Sequence, residues 1–287
     1  VAKKKNKKLT VAEANRAYFI VLANSRASLT MFSGLPFVII PVLLTLNISF
    51  LNPPPHYRGY EVLLHLAGVN VVIVWVCVAF TILWMFKSLT YRFQVFSSGV
   101  MAVLAVCMVY SLCLMCLGLA TLVQARGEPF FAMLFSVAGL VAVALVVGST
   151  VVHVLMLRHR LRVGHSENRT MGNIGAVSMS NRSKTFWIIA GVVAVVPNVL
   201  TQGQYLTNSL GAVGLLVIAF VTPSLPVEYA YLTYLKSKDR DYWEERPRRA
   251  TKKERRRVTK KVAMWVFGII ATFGLVWVSG KAVTLWL

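Results

Sequence analysis

Glu228 is the residue whose type and setting most suggest chemistry. It sits inside an apolar run, in Thr222-Pro223-Ser224-Leu225-Pro226-Val227-Glu228-Tyr229. An ionised carboxylate at membrane depth costs about 3 kcal/mol or more, so it normally faces a partner or a wet cavity. Pro223 and Pro226 lack amide protons, which frees carbonyls just before the carboxylate, and broken helices of this kind line ion or substrate paths. The competing reading is a hydrogen-bonding tie between helices. Lys236, close behind in the sequence, favours it by placing Glu228 within reach of the membrane boundary. His153 is the candidate partner, because its run travels in the same direction and to a matching depth; the favoured reading of His153 is nevertheless a satisfied histidine near the headgroups. His65, Asn70 and Asn198 are polar groups in other runs, which either line a vestibule or join helices to each other.

Other patterns carry less. Cys113-x-x-Cys116 offers two thiols on one helix, but a redox or metal site needs further ligands that the sequence does not bring near. His153, His159 and His165 do not recur at the spacing of one helix face. Gly274 to Gly280-Lys281 has one residue too many for a phosphate-binding loop and lacks the following Ser or Thr, and no HExxH is present. Glu244-Glu245-Arg246-Pro247-Arg248-Arg249 has the EExxxR spacing of CAAX-type intramembrane proteases, a family that includes some bacteriocin self-immunity proteins. The resemblance fails in context. The family's glutamates stand on a membrane helix and act with histidines downstream, whereas these lie in a basic loop with a proline inside, and no histidine follows His165. The stretch reads as a solvated charge run. No metal or cofactor is expected, and enzymatic activity has no motif behind it.

The elements that must position these residues follow from composition. Hydrophobic residues make up 57% of the 287 and charged residues 14%, too few charges to cover a water-soluble surface. A hydrocarbon core of about 30 Å needs roughly 20 apolar residues in a helix. Seven runs qualify, at 29–51, 62–86, 94–123, 130–157, 185–203, 209–235 and 262–285, the fifth being the shortest. The expected fold is all-α, a polytopic transmembrane bundle of about seven spans forming one domain over 29–287. Pro36 and Pro41 should kink the first span. The small residues Ala138, Ala142, Ala144 and Gly148 along the fourth span, and the pair Gly211 and Gly214, suit close helix approach.

Orientation comes from the 31 Lys and Arg residues. Seven precede the first span, two follow the second, six lie in 158–184 and thirteen in 236–261, which is 28 on one side if every run crosses. Arg58, Arg126 and Lys281 are the three on the other. The N-terminus is therefore expected in the cytoplasm and the C-terminus outside. Within the basic tail at 1–28, Thr10 and Glu13 form a capping-box pattern that opens a short helix, either lying on the membrane surface or extending the first span. The densest basic stretch contains Arg255, Arg256, Arg257, Lys260 and Lys261, which should contact anionic inner-leaflet lipids at about 1 kcal/mol each. Positive-inside placement accounts for the net charge of +21, so nucleic acid is not expected. All four cysteines lie in apolar runs and read as reduced.

Two functions fit. The favoured one is a transport-related permease or channel subunit, dependent on an ion gradient or a separate ATPase. The alternative is a non-catalytic interaction protein: a bacteriocin-immunity factor, a receptor, or an accessory subunit that binds other membrane subunits. A Val first residue suits either a GTG start or a trimmed sequence; the expected location is a cell membrane, on the first reading the bacterial cytoplasmic membrane.

Overall fold

A computed structural model describes residues 10–30, 34–51, 60–121, 128–165 and 206–245. The chain divides after Glu244 into two compact units, and all but the first residue of the second unit lies outside this range, as do the predicted runs at 185–203 and 262–285. The described part is all-helical. It comprises α1 (Val11–Ala23), α2 (Gly34–Leu51), α3 (Tyr60–Met85), α4 (Lys87–Arg92), α5 (Gln94–Thr121), α6 (Glu128–Val163), α7 (Leu206–Val221), α8 (Ser224–Lys238) and a 3₁₀ turn at Arg240–Tyr242.

Helix α1 starts where its capping box is. The Glu13 amide donates to Thr10 Oγ1 at 3.3 Å, and the Thr10 amide donates back to Glu13 Oε2 at 2.8 Å, satisfying two otherwise orphaned donors. The Thr10 amide first, and then the Thr10 hydroxyl, which donates to the same Oε2 at 2.8 Å, hold the exposed Glu13 carboxyl below its ordinary range. Ala14, Tyr18 and Leu22 recur every four residues and, with Phe19 and Ala23, form the buried face. The helix closes at Asn24, whose side chain donates to the Ile20 carbonyl at 2.9 Å. The chain then turns before α2 begins, so α1 does not run on into the first apolar helix.

Four stretches are long and apolar enough to cross a membrane: Leu64–Met85, Gln94–Ala120, Gly139–Val163 and Asn208–Lys238. Gly34–Ile48 is a shorter apolar helix. They are consistent with an integral membrane protein, and their surfaces agree. Trp75 on α3 is 68% exposed and Leu140 on α6 72%, amid long apolar faces that would associate in water and are at home in lipid.

Helix α5 is the axis of the bundle: 56% of its apolar window is buried, against 17–22% for the other three. Met101, Leu104 and Ala105 meet Ile39 and Leu43 of α2, Phe19 of α1 and Leu232 of α8 in one core, while Val109, Cys113 and Cys116 meet Leu215 and Ala219 of α7 in a second. The closest approach is at Gly211, where a Cβ would fall within the backbone of Leu119 and Ala120; at Gly214 it would stand 3.0 Å from Cys116 Sγ. That pair acts as its spacing suggested. Ala144 and Gly148 do not: Ala144 is exposed and a Cβ on Gly148 would meet nothing within 4 Å. Of the two prolines expected to kink the first span, only Pro41 lies beyond the first turn of α2. Pro36 falls in the first turn, where an amide has no helical partner to lose.

Candidate functional site

Glu228 lies in the second turn of α8, and its side chain is 6% exposed. Its partner is Arg26, from the turn after α1: Arg26 Nη2 donates to Glu228 Oε2, and Arg160 Nη1 of α6 stands 4.0 Å from Oε1. Arg26 is itself held from two sides. Its guanidinium donates to the Tyr18 hydroxyl at 2.6 Å, and its carbonyl accepts from the Tyr229 hydroxyl at 2.6 Å. Three elements distant in sequence thus converge on one carboxylate, and both cations come from outside its own helix.

His153 does not meet Glu228. Its Nε2 lies 2.8 Å from the carbonyl oxygen of Phe220, to which Ser149 Oγ also donates at 3.2 Å. The reason lies in the break at Thr222–Pro223. Helix α7 ends at Val221, Pro223 caps α8 without a side-chain bond, and Pro223 has no amide to return to α7. Carbonyls at the end of α7 therefore need outside donors, and α6 supplies an imidazole and a hydroxyl. Pro223 is fully buried at the break, while Pro226 falls in the first turn of α8, where it interrupts nothing. Pro223 also falls at the middle of the Asn208–Lys238 stretch in sequence.

A second buried ion pair went unanticipated. Lys236 Nζ is 2.8 Å from Glu244 Oε1, with side chains 0% and 4% exposed. Glu244 Oε2 also accepts from Ser28 Oγ at 2.8 Å and the Leu29 amide at 2.9 Å. Its backbone exchanges both bonds with the Gln94 side chain, at 2.7 and 2.9 Å. Trp243 Nε1 donates to the Lys236 carbonyl at 2.8 Å, closing the turn. The solvated charge run expected at 244–249 is thus corrected at its first residue: Glu244 is a buried knot joining α2's approach, α5 and α8. Nearby Tyr91 has its phenol pushed up to about 12, by burial first and by the Glu244 carboxylate second.

Asn70 is also fully buried, and it joins helices instead of lining a vestibule. Its Nδ2 donates to Asn47 Oδ1 at 2.8 Å, and Tyr110 Oη donates to its Oδ1 at 3.0 Å, linking α3 to α2 and α5. His65 is exposed. His165, just past α6, stacks on Tyr18 with ring centroids 3.9 Å apart, and its Nδ1 is 2.6 Å from Asn15 Oδ1. Asn198 and the basic residues Arg255, Arg256, Arg257, Lys260 and Lys261 lie outside the described residues. Among the described residues no group of three or more His, Cys, Asp or Glu could hold a metal, and all four cysteines are free thiols.

Sequence reasoning found Glu228, the prolines and Asn70, because polar groups and breakers stand out against an apolar run. It missed Arg26, Arg160, Lys236, Glu244 and Gln94. Each lies at a helix end or in a turn, where a charge is unremarkable, and the one available signal was Glu228 itself, which requires a cation somewhere. No known protein family matches the sequence, and no curated protein or solved structure is significantly similar to it.

Proposed function

We propose that this integral membrane protein is a transport-related permease or channel subunit that draws its energy from an ion gradient or from a separate ATPase. The observation that carries the reading is the break at Thr222–Pro223. An apolar stretch interrupted between two helices, with the Phe220 carbonyl beside the His153 and Ser149 side chains, resembles the discontinuous helices from which transporters build sites and hinges. Breaking or making the His153 and Ser149 bonds gives α7 and α8 two arrangements without unfolding either.

The alternative, a non-catalytic interaction protein, draws support from Glu228. Its carboxylate is committed to Arg26 and lies 4.0 Å from Arg160, which suits a tie between helices better than a substrate contact. Cysteine accessibility separates the two. In a protein freed of its native cysteines, new cysteines at Ser149 and Ser224, on either side of the break, are exposed to membrane-impermeant maleimide in right-side-out and inside-out vesicles. A permease subunit whose site opens alternately reacts from both sides. Protection from both faces overturns the transport reading and leaves the interaction protein.

A further inference from the structure

Between α6 and α8 runs an open groove of about 700 Å³, walled by Val146, Val154 and Leu157 of α6 and by Val227 and Ala230 of α8, with Val109 of α5 in its floor. The wall residues on α6 extend from Val146 to Leu161. At a helical rise of ~1.5 Å per residue that is a channel about 22 Å long. One leaflet's hydrocarbon layer is about 15 Å deep, half of a ~30 Å core. The groove therefore takes one extended acyl chain and leaves room at one end for a headgroup.

That end is polar and positive. Arg158, Tyr231 and Tyr234 line the groove where α6 and α8 approach their C-terminal ends. Arg158 is exposed and makes no salt bridge among the described residues, unlike Arg160, whose guanidinium is turned to Glu228. A guanidinium beside an apolar channel, with two tyrosines lining the same groove, is complementary to a phosphate carried on an acyl chain. We propose that the α6/α8 groove is a binding site for one anionic phospholipid of the surrounding bilayer, with an acyl chain along Val154 and Leu157 and the phosphate on Arg158. The site stands whether or not the chain transports anything.

Native mass spectrometry of the full-length protein, delipidated and then supplied with equal amounts of phosphatidylglycerol and phosphatidylcholine, tests the proposal. One phosphatidylglycerol should be retained preferentially. Arg158→Gln should reduce that preference about fivefold, the loss of one cation's attraction to an anionic headgroup. Val154→Trp, which fills the channel, should abolish retention of either lipid. Arg158→Gln changes a lipid-facing charge and not the packing, so it remains informative if Val154→Trp lowers yield. Equal retention of the two lipids by the wild type, or undiminished retention by a correctly folded Val154→Trp, overturns the site.

Discussion

At the scale of single residues, three of the four ion pairs among the described residues rank by burial and not by separation. Arg16 and Asp241 are each more than half exposed, and such pairs contribute about 0.2–1 kcal/mol. Lys236 and Glu244 are fully dehydrated, so removing one partner strands a charge that costs about 3–5 kcal/mol. Arg26 retains 27% exposure, which places its pair with Glu228 between these limits. Thermal unfolding in detergent should accordingly order the variants Glu244→Gln, then Glu228→Gln, then Asp241→Asn, from most to least destabilised. An Asp241→Asn protein less stable than Glu244→Gln would contradict the burial argument. Glu228 was legible in the sequence as a residue needing a partner, but the partner was not, because depth matching selects among residues within spans and Arg26 reaches in from a turn outside them. Glu244 was illegible for a related reason. Six residues of mostly charged sequence look solvated until the fold brings Lys236, Ser28 and Gln94 around the first of them.

At the scale of elements, local signals were reliable wherever backbone chemistry alone decides. The capping box at Thr10 and Glu13 opens α1 as its pattern indicates, and Thr10→Ala should cost about 1 kcal/mol of helix stability. Its pH dependence has a definite sign. The Glu13 carboxyl titrates lower when folded than when unfolded, so its contribution is present above the ordinary carboxylate range and is lost as pH falls through the depressed folded value. Hydrogen exchange over 11–23 should therefore quicken on acidification beyond the intrinsic pH effect in the wild type and not in Glu13→Gln; identical profiles would sink the assignment. Helix contacts were legible only where no side chain fits at all. Gly211→Ala forces α7 off α5 at Leu119 and Ala120, and overpacking of this kind costs about 1–3 kcal/mol. Gly148→Ala, with nothing within 4 Å to meet, should be tolerated. Both glycines look alike in the sequence, since spacing says that a face is small and not whether a neighbour lies against it.

At the scale of the whole molecule, the hydrogen bonds fix which chain segments share an end of the bundle. Trp84 Nε1 donates to the Leu29 carbonyl at 3.1 Å, so the chain leaves along α2 and returns along α3 to the end it started from. Asn15 Nδ2 donates to the Leu161 carbonyl at 2.8 Å, so α5 and α6 make a second round trip. Asn208 Nδ2 donates to the Ala120 carbonyl at 2.7 Å, so α7 begins at the far end, and Glu244 comes back to Gln94. His165 and Asn208 therefore lie at opposite ends of the bundle, and the apolar run expected at 185–203 falls between them, outside the described residues. Arg26, Arg160 and Lys236 all fall at the shared end. If basic segments are retained on the cytoplasmic side during insertion, a tag placed in 246–261 should be inaccessible in intact cells, while one inserted after Gln202, at the outer end of the fifth run, should be reached from outside. A tag after Leu287 should also be reached, provided the run at 262–285 crosses once more. The three sites answer separately. A protected tag after Gln202 with an accessible one in 246–261 inverts the whole orientation, whereas protection of the Leu287 tag alone removes only the final crossing and leaves six.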